Sequence, residues 1–105
     1  MLRTLVAGVV IAAPILFATP AHADAADFID YLESNGIPSP TRAIAADAVD
    51  LGNAICGLYS AAVDAGRNAN REVMNTLAQD GNPNPAVWTV GAVTYLCPQY
   101  EYLLP

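Results

Sequence analysis

Apolar residues recur three and four positions apart through most of the chain, the spacing of one face of an α-helix, and glycine, proline and asparagine punctuate the pattern. In DAADFIDYLESNG, Ala25, Phe28, Ile29 and Leu32 share a face, and Gly36 followed by Ile37 reads as a helix C-terminus. Asp24, Asp27, Asp30 and Glu33 advance by three along the opposite side, a solvated acidic ridge whose charge also suits a helix start. IPSP is a short stiff connector. Within it Ser39 can cap with Pro40 at the first helical position, or Thr41 can cap just beyond.

Residues 41–65 predict the longest helix. One stripe runs through Ile44, Ala48, Leu51, Ile55, Leu58 and Ala62, and a second line of Gly52, Cys56, Tyr59 and Val63 lies beside it. Gly52 and Gly57 both suit close approach by a neighbouring helix, and Gly66 is the natural stop. The next segment, RNANREVMNTLAQDG, has Val73, Met74 and Leu77 at helical spacing and ends at Gly81. Asparagines at 68, 70 and 75 are poor helix formers, so its start falls anywhere from 67 to 71. Arg71 and Glu72 are adjacent, point about 100° apart, and predict no helix ion pair.

The last segment opens at NPNPA, with Asn84 as cap and Pro85 at the first helical position. Its body, AVWTVGAVTYLCP, sets Ala86, Val90, Val93 and Cys97 on one face, with Val87 and Thr94 beside them. The β-branched residues would also suit a strand. Length, the Asn-Pro start and the helical neighbours favour a helix, ending at Cys97 or one residue earlier because Pro98 disfavours helical backbone there. The reading is an all-α fold, a single four-helix domain over residues 24–105 joined by short connectors.

Residues 1–23 predict a signal peptide: Arg3, an apolar stretch of 13 residues from Leu5 to Phe17, and the small-x-small triplet Ala21-His22-Ala23. That stretch is well short of the ~20 residues that cross a bilayer, so no membrane span is expected after cleavage. Secretion, or retention in the cell envelope, follows as the expected localisation.

Cleavage before Asp24 leaves 82 of the 105 residues, with three arginines against ten carboxylates, a formal net charge of −7. There is no lysine, and the only histidine, His22, leaves with the leader. Three arginines in such a field cannot build a face for phosphate backbones, which argues against nucleic acid. Ser-His-Asp, Cys-His and histidine-metal sites lack their histidine. Paired carboxylates remain as the one hydrolytic option.

A domain this small buries only ~60% of the surface its unfolded chain exposes and often needs a cross-link. Two cysteines in an exported chain read as one disulfide, Cys56 to Cys97. Closing a loop of about 41 residues is worth roughly 4 kcal/mol. A redox pair would sit close together at a helix start, whereas Cys97 stands where a helix ends. Two sulfurs also make an incomplete zinc shell, and no metal or other cofactor is expected. DGNPN echoes the opening of a calcium loop but has Gly91 where the bidentate glutamate belongs, and it reads as a turn.

The surplus is aromatic: Phe28, Tyr31, Tyr59, Trp88, Tyr95, Tyr100 and Tyr102. Most are core fillers, Tyr59 among them. Trp88 lies off the Val90/Val93 line and is expected to be partly exposed. Trp88, Tyr100 and Tyr102 are the candidate interaction residues, since tryptophan and tyrosine favour binding hot spots.

DFIDYLESNGI, then LGNAICGLYSAAVDAG, then a hydrophobic helix closing on YLCP together resemble a family of small exported mycobacterial proteins. The family is catalogued as "domain of unknown function 732", and the resemblance covers residues 26–99. It implies a secreted, compact helical domain with Cys56 and Cys97 bonded, and it implies no activity. The asparagine-rich DAGRNANREV departs locally from the pattern and bears on where the third helix begins.

The expected function is non-enzymatic binding of a partner by a secreted or envelope domain. The alternative is a carrier of a small apolar ligand or lipid, with a pocket lined by Trp88, Tyr59 and alanines. An enclosed cavity would favour the carrier; an open patch bearing Trp88 or the Tyr100–Leu104 tail would favour the binding domain.

Overall fold

The helices begin and end where the side chains leave the backbone no better choice. In the computed structural model, which describes residues 24–105, α1 covers 24–34, α2 Arg42–Asp64, α3 Ala69–Gln79 and α4 Pro85–Tyr95, followed by a 3-10 helix, Pro98–Leu103. The expected signal peptide lies outside the described residues. The expected all-α architecture of four helices closed by one disulfide is the fold observed.

Three helices stop in the same way. Gly36, Gly66 and Gly81 have φ of +82°, +71° and +86°, a backbone region open to glycine because it has no Cβ. At each, the glycine N–H and the one after it donate to carbonyls of the last turn; Ile37 N–H, for instance, reaches Leu32 O at 2.9 Å. These paired bonds satisfy acceptors that would otherwise be left without partners. The starts are equally local. Thr41 Oγ1 accepts from Ile44 N–H at 3.1 Å, the later of the two caps expected for α2. Asn68 Oδ1 accepts from Arg71 N–H at 3.0 Å, which fixes the start of α3. Asn84 differs from expectation. It stands before Pro85 but makes no side-chain capping bond, and its own N–H is taken up by Asn82 Oδ1 at 2.8 Å.

The core forms around α4. Thr89, Gly91, Ala92 and Val93 are all buried, and together they cover most of the helix circumference. The expected single face through Ala86, Val90 and Val93 is therefore corrected: Ala86 is exposed and Val90 half-buried. Every other residue of α4 is at least half-buried, and a helix packed on several sides has no one apolar stripe to read. Here α1, α2, α3 and the 3-10 helix all pack on α4.

On α2 the buried seam is Ala48, Gly52, Ile55, Tyr59 and Ala62, which draws alternately on the two lines seen in the sequence. Ile44 and Leu58, expected on the buried stripe, are 45% and 39% exposed. At about 1.5 Å per residue, α2 is roughly 34 Å long and α3 and α4 roughly 16 Å each, so neither neighbour covers all of it. The seam follows Gly52. A Cβ there would stand 2.5 Å from Leu96 Cδ1 and 2.9 Å from the Phe28 ring. Gly91 does the same for α4, where a Cβ would lie 2.8 Å from the Tyr31 ring. Gly57, also expected at a close approach, has nothing within 4 Å of the Cβ position and faces solvent.

Phe28, fully buried through these two gaps, contributes roughly 1.5–3 kcal/mol by burial. Cys56 on α2 and Cys97 beyond α4 are bonded, with Cα atoms 6.0 Å apart. Regular helix stops at Tyr95, with Leu96 as its last half-helical residue, so the bond ties α2 to the point where the C-terminal segment begins.

Candidate functional site

Two pairs of rings mark the opposite fates of aromatic side chains in this domain. The first is Tyr59 with Tyr100. Tyr59 is fully buried on α2, and Tyr100 in the 3-10 helix stacks on it, with centroids 5.7 Å apart and planes at 26°. The Tyr59 hydroxyl donates to Asn70 Oδ1 on α3, and Asn70 Nδ2 donates to the Leu103 carbonyl. Burial pushes the Tyr59 phenol above its ordinary pKa. One asparagine thus joins α2, α3 and the C-terminal segment. Leu103 and Leu104 pack on the core, and Leu104 and Pro105 close one side of a small apolar pocket of about 100 Å³ against Met74, Ala86, Thr89 and Val90.

The second pair is Phe28 with Trp88, edge to face with centroids 5.9 Å apart and planes at 64°. Phe28 is buried, but Trp88 is half-buried, and among the described residues no segment closes over it. It is the shared wall of two open grooves. One, about 410 Å³, lies among Ile37, Leu51, Leu77 and the turn from Asp80 to Asn84. The other, about 230 Å³, runs over Ile37, Leu51, Ala48 and Ile44 toward Pro38 and Asp47. Ile37 is held in place by its bond into the end of α1, and Leu51 flanks the buried seam of α2. Hence Leu51, Leu77 and Trp88 reach the floor from helices, and Ile37 from a hydrogen-bonded helix end. A further shallow groove, about 710 Å³, separates Ala25 and Ile29 of α1 from Ala45 and Val49 of α2, beside Arg42.

The three candidate interaction residues are thus placed differently. Trp88 lies in the open grooves, Tyr100 is half-buried against Tyr59, and Tyr102 is 74% exposed. Tyr59 and Trp88, offered together as the lining of a carrier pocket, border no common cavity among those described. The paired-carboxylate hydrolase required converging carboxylates in a cleft. No carboxylate among the described residues is buried, and Asp24 and Glu72 alone are half-buried. Among those residues no group of three or more potential ligands could hold a metal ion. No helix among them is long and apolar enough to cross a membrane.

Two features escaped the sequence reading. Asn70 carries the bonds that hold the C-terminal segment, though its composition signal pointed only to weak helix. Its place directly after a buried Ala69 start, facing a tyrosine eleven positions earlier, depends on the α2–α3 packing. Arg67 Nε pairs with Glu72 Oε2 at 2.6 Å across the start of α3, a half-exposed ion pair worth little.

Neither a curated protein nor a solved structure matches the chain. A family described as "Protein of unknown function (DUF732)" matches residues 23–99. That span takes in α1 to α4 and both cysteines, and it stops before Tyr100. The chain belongs to that DUF732 family.

Proposed function

We propose that this domain is an exported, non-enzymatic binding module of the cell surface or its surroundings, and that it meets its partner at the grooves around Trp88. The observation that carries this reading is the placement of its one tryptophan. A large ring is held rigidly edge-on against Phe28, yet half-open, between two apolar hollows floored by Ile37 and Leu51. Tryptophan on a fixed floor offers much contact area at little entropic cost. The openness of the grooves supports a partner that lays a surface across them more than a ligand carried inside.

Immobilised protein and its Trp88→Ala variant, challenged with cell-envelope and culture extracts, test this. A protein retained by the first and lost from the second supports the reading. Equal retention by both, or stoichiometric lipid in the eluate of both, overturns it. The export component has its own test in intact-mass measurement of secreted material. The expected species has 82 of the 105 residues, begins at Asp24 and has no free thiol. A retained leader or two titratable thiols would contradict export.

A further inference from the structure

The charges around the Trp88 grooves narrow the partner's chemistry. Asp80, the residue that caps the end of α3, lines one groove, and Asp47 of α2 lines the other; both are exposed. The large apolar side chains beside them are Ile37, Leu51 and Trp88 in both grooves, with Leu77 in the first and Ile44 in the second. None of Arg42, Arg67 and Arg71 lines either groove. Arg42 stands beside the α1–α2 groove instead, and Arg67 is engaged with Glu72. Taken together, these are two apolar hollows that share Trp88, each with one exposed carboxylate in its lining and no arginine of the described residues beside it, in a chain of formal net charge −6.

Resting on the reading of the Trp88 face as the docking surface, we infer that its partner is a protein segment with an apolar centre flanked on both sides by lysine or arginine. Apolar side chains would fill the two hollows on either side of the indole. Flanking cations would meet Asp47 and Asp80 at the rim, where charges set orientation and association rate more than affinity. A segment with acidic flanks would meet two like charges, which disfavours it. Asp47 and Asp80 thus act as specificity residues, and Trp88 and Leu51 as the anchoring surface.

The chain has one tryptophan, so its emission reports on this face alone. The probes are three synthetic peptides: a leucine-rich centre with lysine ends, the same centre with glutamate ends, and lysine ends around a serine centre. A neutral alkyl glucoside is the fourth. The disulfide-intact protein should respond saturably to the first peptide and weakly or not at all to the others. Asp47→Asn/Asp80→Asn should weaken that peptide by roughly three- to tenfold and reduce its salt dependence. Asp30→Asn/Glu33→Gln, on the exposed ridge of α1, should leave it unchanged, which separates rim pairing from general attraction to an acidic protein. Equal response to lysine- and glutamate-ended peptides, or no effect of the Asp47/Asp80 pair, overturns the inference about charge and leaves the groove standing. Silence of Trp88 toward every apolar-centred peptide overturns both. A response to the alkyl glucoside alone assigns the grooves to a carried amphiphile and also overturns the inference.

Discussion

Tyr59 and Trp88 are both large rings packed against a second ring, yet one end of the domain is sealed and the other open. At the Tyr59 end the chain supplies its own cover: Tyr100 stacks, Asn70 clasps the Leu103 carbonyl, and Leu104 lies over the small apolar pocket. At the Trp88 end nothing comparable follows Phe28 among the described residues, and two hollows remain. The difference lies in polar chemistry. The sealed end carries a buried hydroxyl and a half-buried amide that need partners, and satisfying them fixes a segment in place. The open end is apolar at its floor and polar only at its rim, so it can stay uncovered without leaving a buried group unpaired.

The largest expected effect comes from breaking the bond that anchors the sealed end. Cys97→Ser should lower the melting temperature by more than about 5 °C, because closing the loop is worth roughly 4 kcal/mol. Circular dichroism melts measure it, and a small shift would remove the disulfide from the account of stability. Asn70→Ala should cost about 1–3 kcal/mol in urea unfolding, since it strands the Tyr59 hydroxyl and the Leu103 carbonyl. Amide exchange should rise in residues 98–104 and not in α1; a uniform rise would mean the two ends are not separate.

Gly91→Ala attacks the apolar side, where the new methyl meets the Tyr31 ring. Overpacking of about 1–3 kcal/mol, offset by the better helix propensity of alanine, should leave a net loss of about 1 kcal/mol. A gain in stability would show that Tyr31 swings away freely.

A pH titration probes the sealed end more gently. The Tyr59 phenol is raised in the folded state, so its contribution is fully present below the unfolded value of about 10 and is lost as pH climbs through the folded one. The stability difference between the native protein and Tyr59→Phe should therefore be constant at neutral pH and shrink in strongly alkaline solution. A difference that does not change across that range would deny that the hydroxyl stays protonated in the fold. Smallest of all, deleting residues 100–105 should leave Trp88 emission in native buffer nearly unmoved. A clear shift would mean that the tail reaches across to the open end.

Much of this was legible in the sequence. Four helices, their glycine stops and the Cys56–Cys97 bond follow from local rules: spacing, punctuation and the count of cysteines. The buried faces followed less well. Ile44 and Leu58 fit the apolar period of α2 and still face solvent, because the buried seam alternates between two adjacent lines and follows the close approach of Phe28 to Gly52. α4 gave no usable stripe because it is surrounded. At the candidate site, Trp88 and its partial exposure could be read from its offset on the helix. Its role as a shared wall could not, since Ile37, Leu51 and Asp80 come from three separate elements. Asn70 was hidden for the same reason.

The bond between Cys56 and Cys97 also makes part of the chain a covalent ring. Everything from the middle of α2 through α3 and α4 lies inside it, with the chain before Cys56 and residues 98–105 outside. A protease that cuts the exposed turns at Gly66 or Gly81 opens the ring without dividing the molecule. Both pieces stay joined through sulfur, and the helices on either side of the cut stay at the high effective concentration of an intramolecular encounter. Outside the ring there is no such insurance: a single cut in the Ile37–Pro40 connector frees α1, and with it Phe28, the ring on which Trp88 leans.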